Sequence, residues 1–135
     1  EDRIADTGQA AAAQAYAVAR AMQARITFAH VLDVAADIRQ EMLESPDSLP
    51  GRHYAMVQGL LDGTATAGPG IQTQTRILFG MHWRALMLEA QRGKYDLVVI
   101  GTKRRGIAGR MLFGSTGNKL LRVCPCPLWV VKARA

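Results

Sequence analysis

Apolar positions along the chain recur in two rhythms, one helical and one continuous. Gln9 to Ala24, QAAAAQAYAVARAMQA, is rich in alanine, the strongest helix former. Ala11, Ala15, Val18 and Met22 share one face at helical spacing, which predicts the buried stripe; Gln9, Arg20 and Gln23 face away. Ile26 to Val31, within RITFAHVLDV, predicts a buried strand. The polar stretch ESPDSLPGR, 44–52, predicts a loop through its Pro and Ser residues. HYAMVQGLLDG, 53–63, predicts a second helix, TATAGPG a turn, and IQTQTRILF an alternating, half-exposed strand. HWRALMLEAQRG predicts a helix with Trp83, Leu86, Met87 and Ala90 on one side and Gly93 as its stop. DLVVI, 96–100, has no polar face, as a parallel strand covered on both sides requires. Ser115 is placed to cap a helix through TGNKLLRV, and PLWVVK predicts the final strand.

Helices and strands therefore alternate, which implies parallel βαβ units in an open α/β sheet with helices on both faces. The length of 135 residues corresponds to one domain, 1–135, and 49% hydrophobic content supplies its core. Ligands of such sheets bind beyond the carboxyl ends of strands. DLVVI runs directly into GTKRRGIAGRMLFGSTG, a basic loop between glycine turns, so its location suits a binding site.

A net charge of +6 favours anionic partners without naming one. Glycines allow backbone N–H groups to approach phosphate, and a helix start behind them adds a favourable dipole. Gly101 and Gly106 have Walker spacing, but Ile107-Ala108 stand where Lys-Ser/Thr is needed, which excludes a P-loop nucleotidase. A nucleotide site, an acidic partner and a solvated loop remain open on spacing alone. No general acid–base pair lies near a nucleophile, and FGSTG is not the Gly-x-Ser-x-Gly of a hydrolase, so catalysis has little support. His30 ends a strand as a core or pocket-rim residue, and His53 and His82 lack partners at ligand spacing. Lys103, Arg104, Arg105 and Arg110 lack interleaved aromatics, and no basic amphipathic helix accompanies them; neither nucleic acid nor a membrane surface is the expected partner. No apolar run reaches the roughly 18 residues of a membrane span. Cys124 and Cys126 flank one proline, a spacing compatible with a redox pair or soft-metal site; without a further Cys or His, structural thiols are the simpler reading. Two cysteines make no disulfide framework, consistent with a reducing cytoplasm.

DLVVIGTKRRGIAGRMLFGSTGNKLLRVCPCPLWVVK resembles the C-terminal half of the universal stress protein family. The signature there is Gly, two residues, Gly, nine residues, then Gly-Ser or Gly-Thr, with a CP before the last strand. Gly101, Gly114 and Ser115 occupy three of those positions, and Cys126-Pro127 matches the CP. Upstream, QAYAVARAMQARITFAHVLDV resembles the first helix and second strand. The resemblance implies a five-stranded sheet ordered 3-2-1-4-5 and an adenine nucleotide, ATP or AMP with or without Mg2+, in a sensor or regulatory domain. Carried over by position, its nucleotide-binding residues are Asp2, Val31, Ile100, Gly101, Lys103, Arg104, Arg110, Gly114, Ser115 and Thr116. It also implies a homodimer through the edge strand Leu128–Lys132. Only Asp2 is placed to serve as a base or metal carboxylate beside the phosphates, so at most slow ATP hydrolysis is expected, and the cysteine usage gives a cytoplasmic location.

Two departures stand out. Arg104 replaces the second glycine of the signature and is expected to weaken phosphate binding, or to add a charge-assisted bond. The chain opens at EDRIADTGQ, so the family's first strand is expected to be missing before Glu1, with Asp2 at its former end. The alternative reading is a domain of the same fold that binds no nucleotide and regulates a larger protein such as a transporter.

Overall fold

The computed structural model describes residues 2–104, 111–112 and 122–132. Helix α1 spans Asp2–Met22, strand β1 Ile26–Leu32, α2 Ala36–Glu44, α3 Leu49–Ala65, β2 Thr73–Phe79 and α4 His82–Gly93. The C-terminal part holds β3, Val98–Arg104, β4, Met111–Leu112, and β5, Leu128–Lys132. The expected helix capped by Ser115 lies outside the described residues, although Arg122 and Val123 are helical.

The α/β architecture is as expected, but the described strands form two sheets rather than one of five. β1 pairs in parallel with β2, from Ile26 beside Thr73 to Leu32 beside Phe79. β3 pairs in parallel with β5, from Val98 beside Leu128 to Thr102 beside Lys132. Its other edge meets β4 in antiparallel register at Lys103 and Arg104. Among the described residues no strand joins β1 to β3, which is where the order 3-2-1-4-5 requires a central one. Residues 2–22 are helical, so Asp2 stands in the first turn of α1 and not at the end of a strand. α1 packs against β1, β3 and β5, and is thus in contact with both sheets.

The stripe that α1 buries is shifted by one residue from the expected one. Ala12, Tyr16 and Ala19 are buried, while Met22 is 72% exposed. Alanine on every side leaves the helical phase undetermined, and the largest ring sets it. Tyr16 tilts against Phe28 at 5.5 Å, and its hydroxyl donates to the Thr64 carbonyl at 2.5 Å. Gly68 makes this possible, because a Cβ there would stand 2.2 Å from the Tyr16 ring.

The expected loop is shortened to residues 45–48: α3 starts at Leu49 rather than His53, and α2 before the loop was not expected. Ser48 accepts a hydrogen bond from the Gly51 N–H at 3.0 Å, and Pro50 occupies the first turn, where its missing N–H costs nothing. Met42 of α2, Val57 of α3 and Leu32 of β1 form the buried cluster, flanked by Ile38, Tyr54, Ile77 and Phe79. At the end of α4 the left-handed residue is Lys94, φ 51°, and not Gly93. Gly93 is small for another reason: a Cβ there would meet the Tyr95 ring at 2.2 Å.

Candidate functional site

The site expected from the sequence is built on the carboxyl end of β3. Its apolar run forms a strand because Val98, Val99 and Ile100 are β-branched and β5 offers a matching apolar partner. The Val98 N–H donates to the Pro127 carbonyl at 3.0 Å, which starts the register. Ile100 then lies beside Val130 and Gly101 beside Val131. The strand does not stop at Ile100 as the sequence suggested. It continues through Lys103 and Arg104, because Leu112 and Met111 return alongside and extend the ladder. Arg104 therefore sits in extended backbone that any residue adopts, where the glycine of the signature is not a conformational requirement.

Of the remaining expected residues, Val31 is buried in β1, paired with Leu78 of β2, in the other sheet. Asp2 lies on α1, which packs against both sheets. Arg110, Gly114, Ser115 and Thr116 fall outside the described residues. The structure thus brings Ile100, Gly101, Lys103 and Arg104 onto one strand, while Val31 belongs to a separate sheet.

Sequence reasoning did not foresee the grouping at the carboxyl ends of β1 and β2. Gly80, φ 127°, turns the chain out of β2, and its N–H donates to the Leu32 carbonyl at 3.2 Å. That turn sets His82 at the start of α4. Burial of the His30 ring, reinforced by the charges of His82 and His53, holds its pKa below the ordinary histidine value. His30 is accordingly a neutral imidazole at physiological pH, with one nitrogen able to donate and the other to accept. The His residues lie 23 and 29 positions apart in sequence, beyond any local ligand spacing, so only the fold relates them. No group of three His, Cys, Asp or Glu side chains among the described residues is arranged to hold a metal. Beside the histidines, Phe79 stacks with Tyr54 at 6.1 Å and carries the Arg39 guanidinium 4.7 Å from its ring centre.

An open hollow of about 570 Å³ lies between β2 and α4, lined by Leu78, Phe79, Ala85, Leu88, Glu89, Gln91 and Arg92. Its carboxylate is already engaged. Glu89 accepts from Arg92 at 2.6 Å and from the Tyr95 hydroxyl at 2.9 Å, with Arg76 Nε 3.4 Å away. Burial alone would raise its pKa, but these hydrogen bonds and the two guanidinium charges prevail and hold it below the usual value. A carboxylate so held is a structural anion and a poor general base.

The family model for universal stress proteins matches residues 5–132. A universal stress protein of Thermus aquaticus, from the QAH/OAS sulfhydrylase 3' region, is 28% identical over 127 residues, covering 94% of this chain and 91% of its own. Universal stress protein E of Photorhabdus laumondii is 31% identical over 64 residues, 47% of this chain, and the match spans only 20% of that relative's length. In three dimensions, the universal stress protein of Archaeoglobus fulgidus superposes with a TM-score of 0.66 at 16% identity, covering 94% of this chain and 90% of its own, a likeness of fold. A universal stress protein crystallised in complex with cAMP has a TM-score of 0.64 at 25% identity, covering 96% of this chain and 89% of its own. The match of the family model over nearly the whole length, with the Gly101, Gly114-Ser115 and Cys126-Pro127 spacing, shows that the chain belongs to the universal stress protein family.

Proposed function

We propose that this chain is an adenine-nucleotide-binding regulatory domain, cytoplasmic and homodimeric through β5. Phosphate is held by backbone N–H groups at Gly101 and Gly114 and by the hydroxyls of Ser115 and Thr116, with Lys103, Arg104 and Arg110 supplying positive charge. Asp2, Val31 and Ile100 contribute to the ribose and adenine end. Occupancy engages the basic loop and alters the surface offered to a second subunit or a partner. The observation that carries this reading is the relative in complex with cAMP, which shares the fold over 96% of this chain. ATP and AMP, with or without Mg2+, are the natural candidates beside cAMP. Turnover is at most slow, since the sequence places no general acid–base pair near a nucleophile.

A second reading, a regulatory domain of the same fold without nucleotide, attached to a larger protein such as a transporter, is favoured by Arg104. Calorimetric titration with ATP, AMP and cAMP, each with and without Mg2+, separates the two. Micromolar binding that vanishes in Gly114→Val plus Ser115→Ala is expected. No heat from a protein shown to be folded would retire the nucleotide and leave the basic loop as a partner surface.

A further inference from the structure

We infer that Cys124 and Cys126 form a bidentate thiolate site for a soft monovalent metal ion of the copper(I) class, with a third coordination position open to an external thiol. The chain bends at Pro125 and Cys126 before entering β5, and this bend brings the two sulfurs to 3.9 Å with a thiol–thiol hydrogen bond. In a straight strand residues two apart share a face but stand about 7 Å apart, so the approach is a property of the bend. Pro125 fixes its own φ, and the Val98 N–H bond to Pro127 anchors the far side, so the pair is held before any ion arrives. Both cysteines are free and half-buried, accessible without being loose.

The spacing selects the coordination. With metal–thiolate bonds of about 2.3 Å, two sulfurs lie ~4.6 Å apart in a linear site, ~4.0 Å in a trigonal one and ~3.8 Å in a tetrahedral one. The observed separation fits two corners of a triangle or tetrahedron and not a linear pair. Zinc takes four protein ligands in structural sites and three in catalytic ones, and among the described residues no third His, Cys, Asp or Glu completes such a set. Thiolates alone, in low number, suit the soft copper(I) ion. Binding involves no change of oxidation state: two S–H protons leave to solvent, two S–Cu bonds form, and the third position takes a thiolate from a small thiol or a partner protein. Because thiolate ligands bind deprotonated, apparent affinity rises with pH. The pair lies at the amino end of β3 and β5, on the order of 15 Å along the strand from Gly101, so this site stands or falls independently of the nucleotide.

The test is an anaerobic titration of the reduced chain, its two thiols counted first, with copper(I) supplied as the bathocuproine disulfonate complex. One copper(I) per chain withdrawn from the chelator is expected, with a sulfur-to-copper band in the near ultraviolet. Cys124→Ser and Cys126→Ser, each checked for native circular dichroism, are expected to lose at least 100-fold in affinity. Copper X-ray absorption should show three sulfur scatterers when a small thiol is present. Failure of the wild-type chain to compete, equal binding by the double serine variant, nitrogen or oxygen in place of sulfur scatterers, or zinc(II) binding as tightly as copper(I) would each overturn the assignment.

Discussion

Glu89 shows how one residue couples a helix, the turn that follows it and a strand. Its carboxylate lies on α4, accepts from Arg92 of the same helix and Tyr95 beyond it, and faces Arg76 of β2. Because its folded pKa is depressed, the unfolded chain binds more protons in acid; the stabilisation is present at neutral pH and is lost as pH falls below about 4.5. His30 acts in the same direction at higher pH: burial keeps it neutral, so stability declines as pH falls through 6.5. Glu89→Gln is expected to cost about 1 kcal/mol at pH 7, a figure that allows for the solvent exposure of both arginines, and to flatten the acid limb of stability measured by urea titration from pH 7 to 3. An unchanged acid limb would place the sensitivity elsewhere. Arg104 belongs to the same scale. It occupies extended backbone, so Arg104→Gly removes bulk and charge without relieving strain. If the side chain obstructs phosphate, the glycine variant binds nucleotide several-fold tighter by calorimetry; equal or weaker binding would show that the guanidinium is tolerated or helps.

At the level of elements, local chemistry decided helix ends better than composition did. Ser and Pro in ESPDSLPGR signalled a loop, yet Ser48 and Pro50 are a cap and a first-turn proline, residues that favour helix starts as much as loops. Ser48→Ala removes the bond to Gly51 and is expected to cost about 1 kcal/mol, lowering the thermal midpoint by a few degrees. No change would mean that the Gly51 N–H finds another acceptor. The strands were more legible. β1, β2 and β5 lie within two residues of their expected bounds, since β-branched runs have no competing helical phase. β3 outran its expected end because the ladder to β4 depends on residues further along the chain. α1 was expected as a helix, but its buried face was not, because alanine offers the same small surface in every direction.

For the whole molecule, the outer edge of β5 is the surface most suited to a second copy. β5 stands last in the order β4-β3-β5 among the described strands, and an outer strand is where a second chain adds to a sheet. Trp129 is 40% exposed there, while Val131 on the same face is buried. Trp129→Glu places a charge on that surface without disturbing a buried residue, and is expected to shift a dimer to monomer in light scattering. A variant that stays dimeric would exclude this edge as the interface.

From the residues alone came the α/β class, the positions of the main strands and the glycine–hydroxyl spacing of the family. These depend on properties local to a few neighbouring residues: β-branching, turn chemistry and the small size of glycine. Tertiary structure decided what depends on distance. It divided the described strands into two sheets bridged by α1, turned Tyr16 rather than Val18 into the core, and brought His30, His53 and His82 into electrostatic reach. It also closed Cys124 and Cys126 to 3.9 Å through a bend rather than a strand. Each of these follows from which surfaces meet, and that is settled only when the chain packs upon itself.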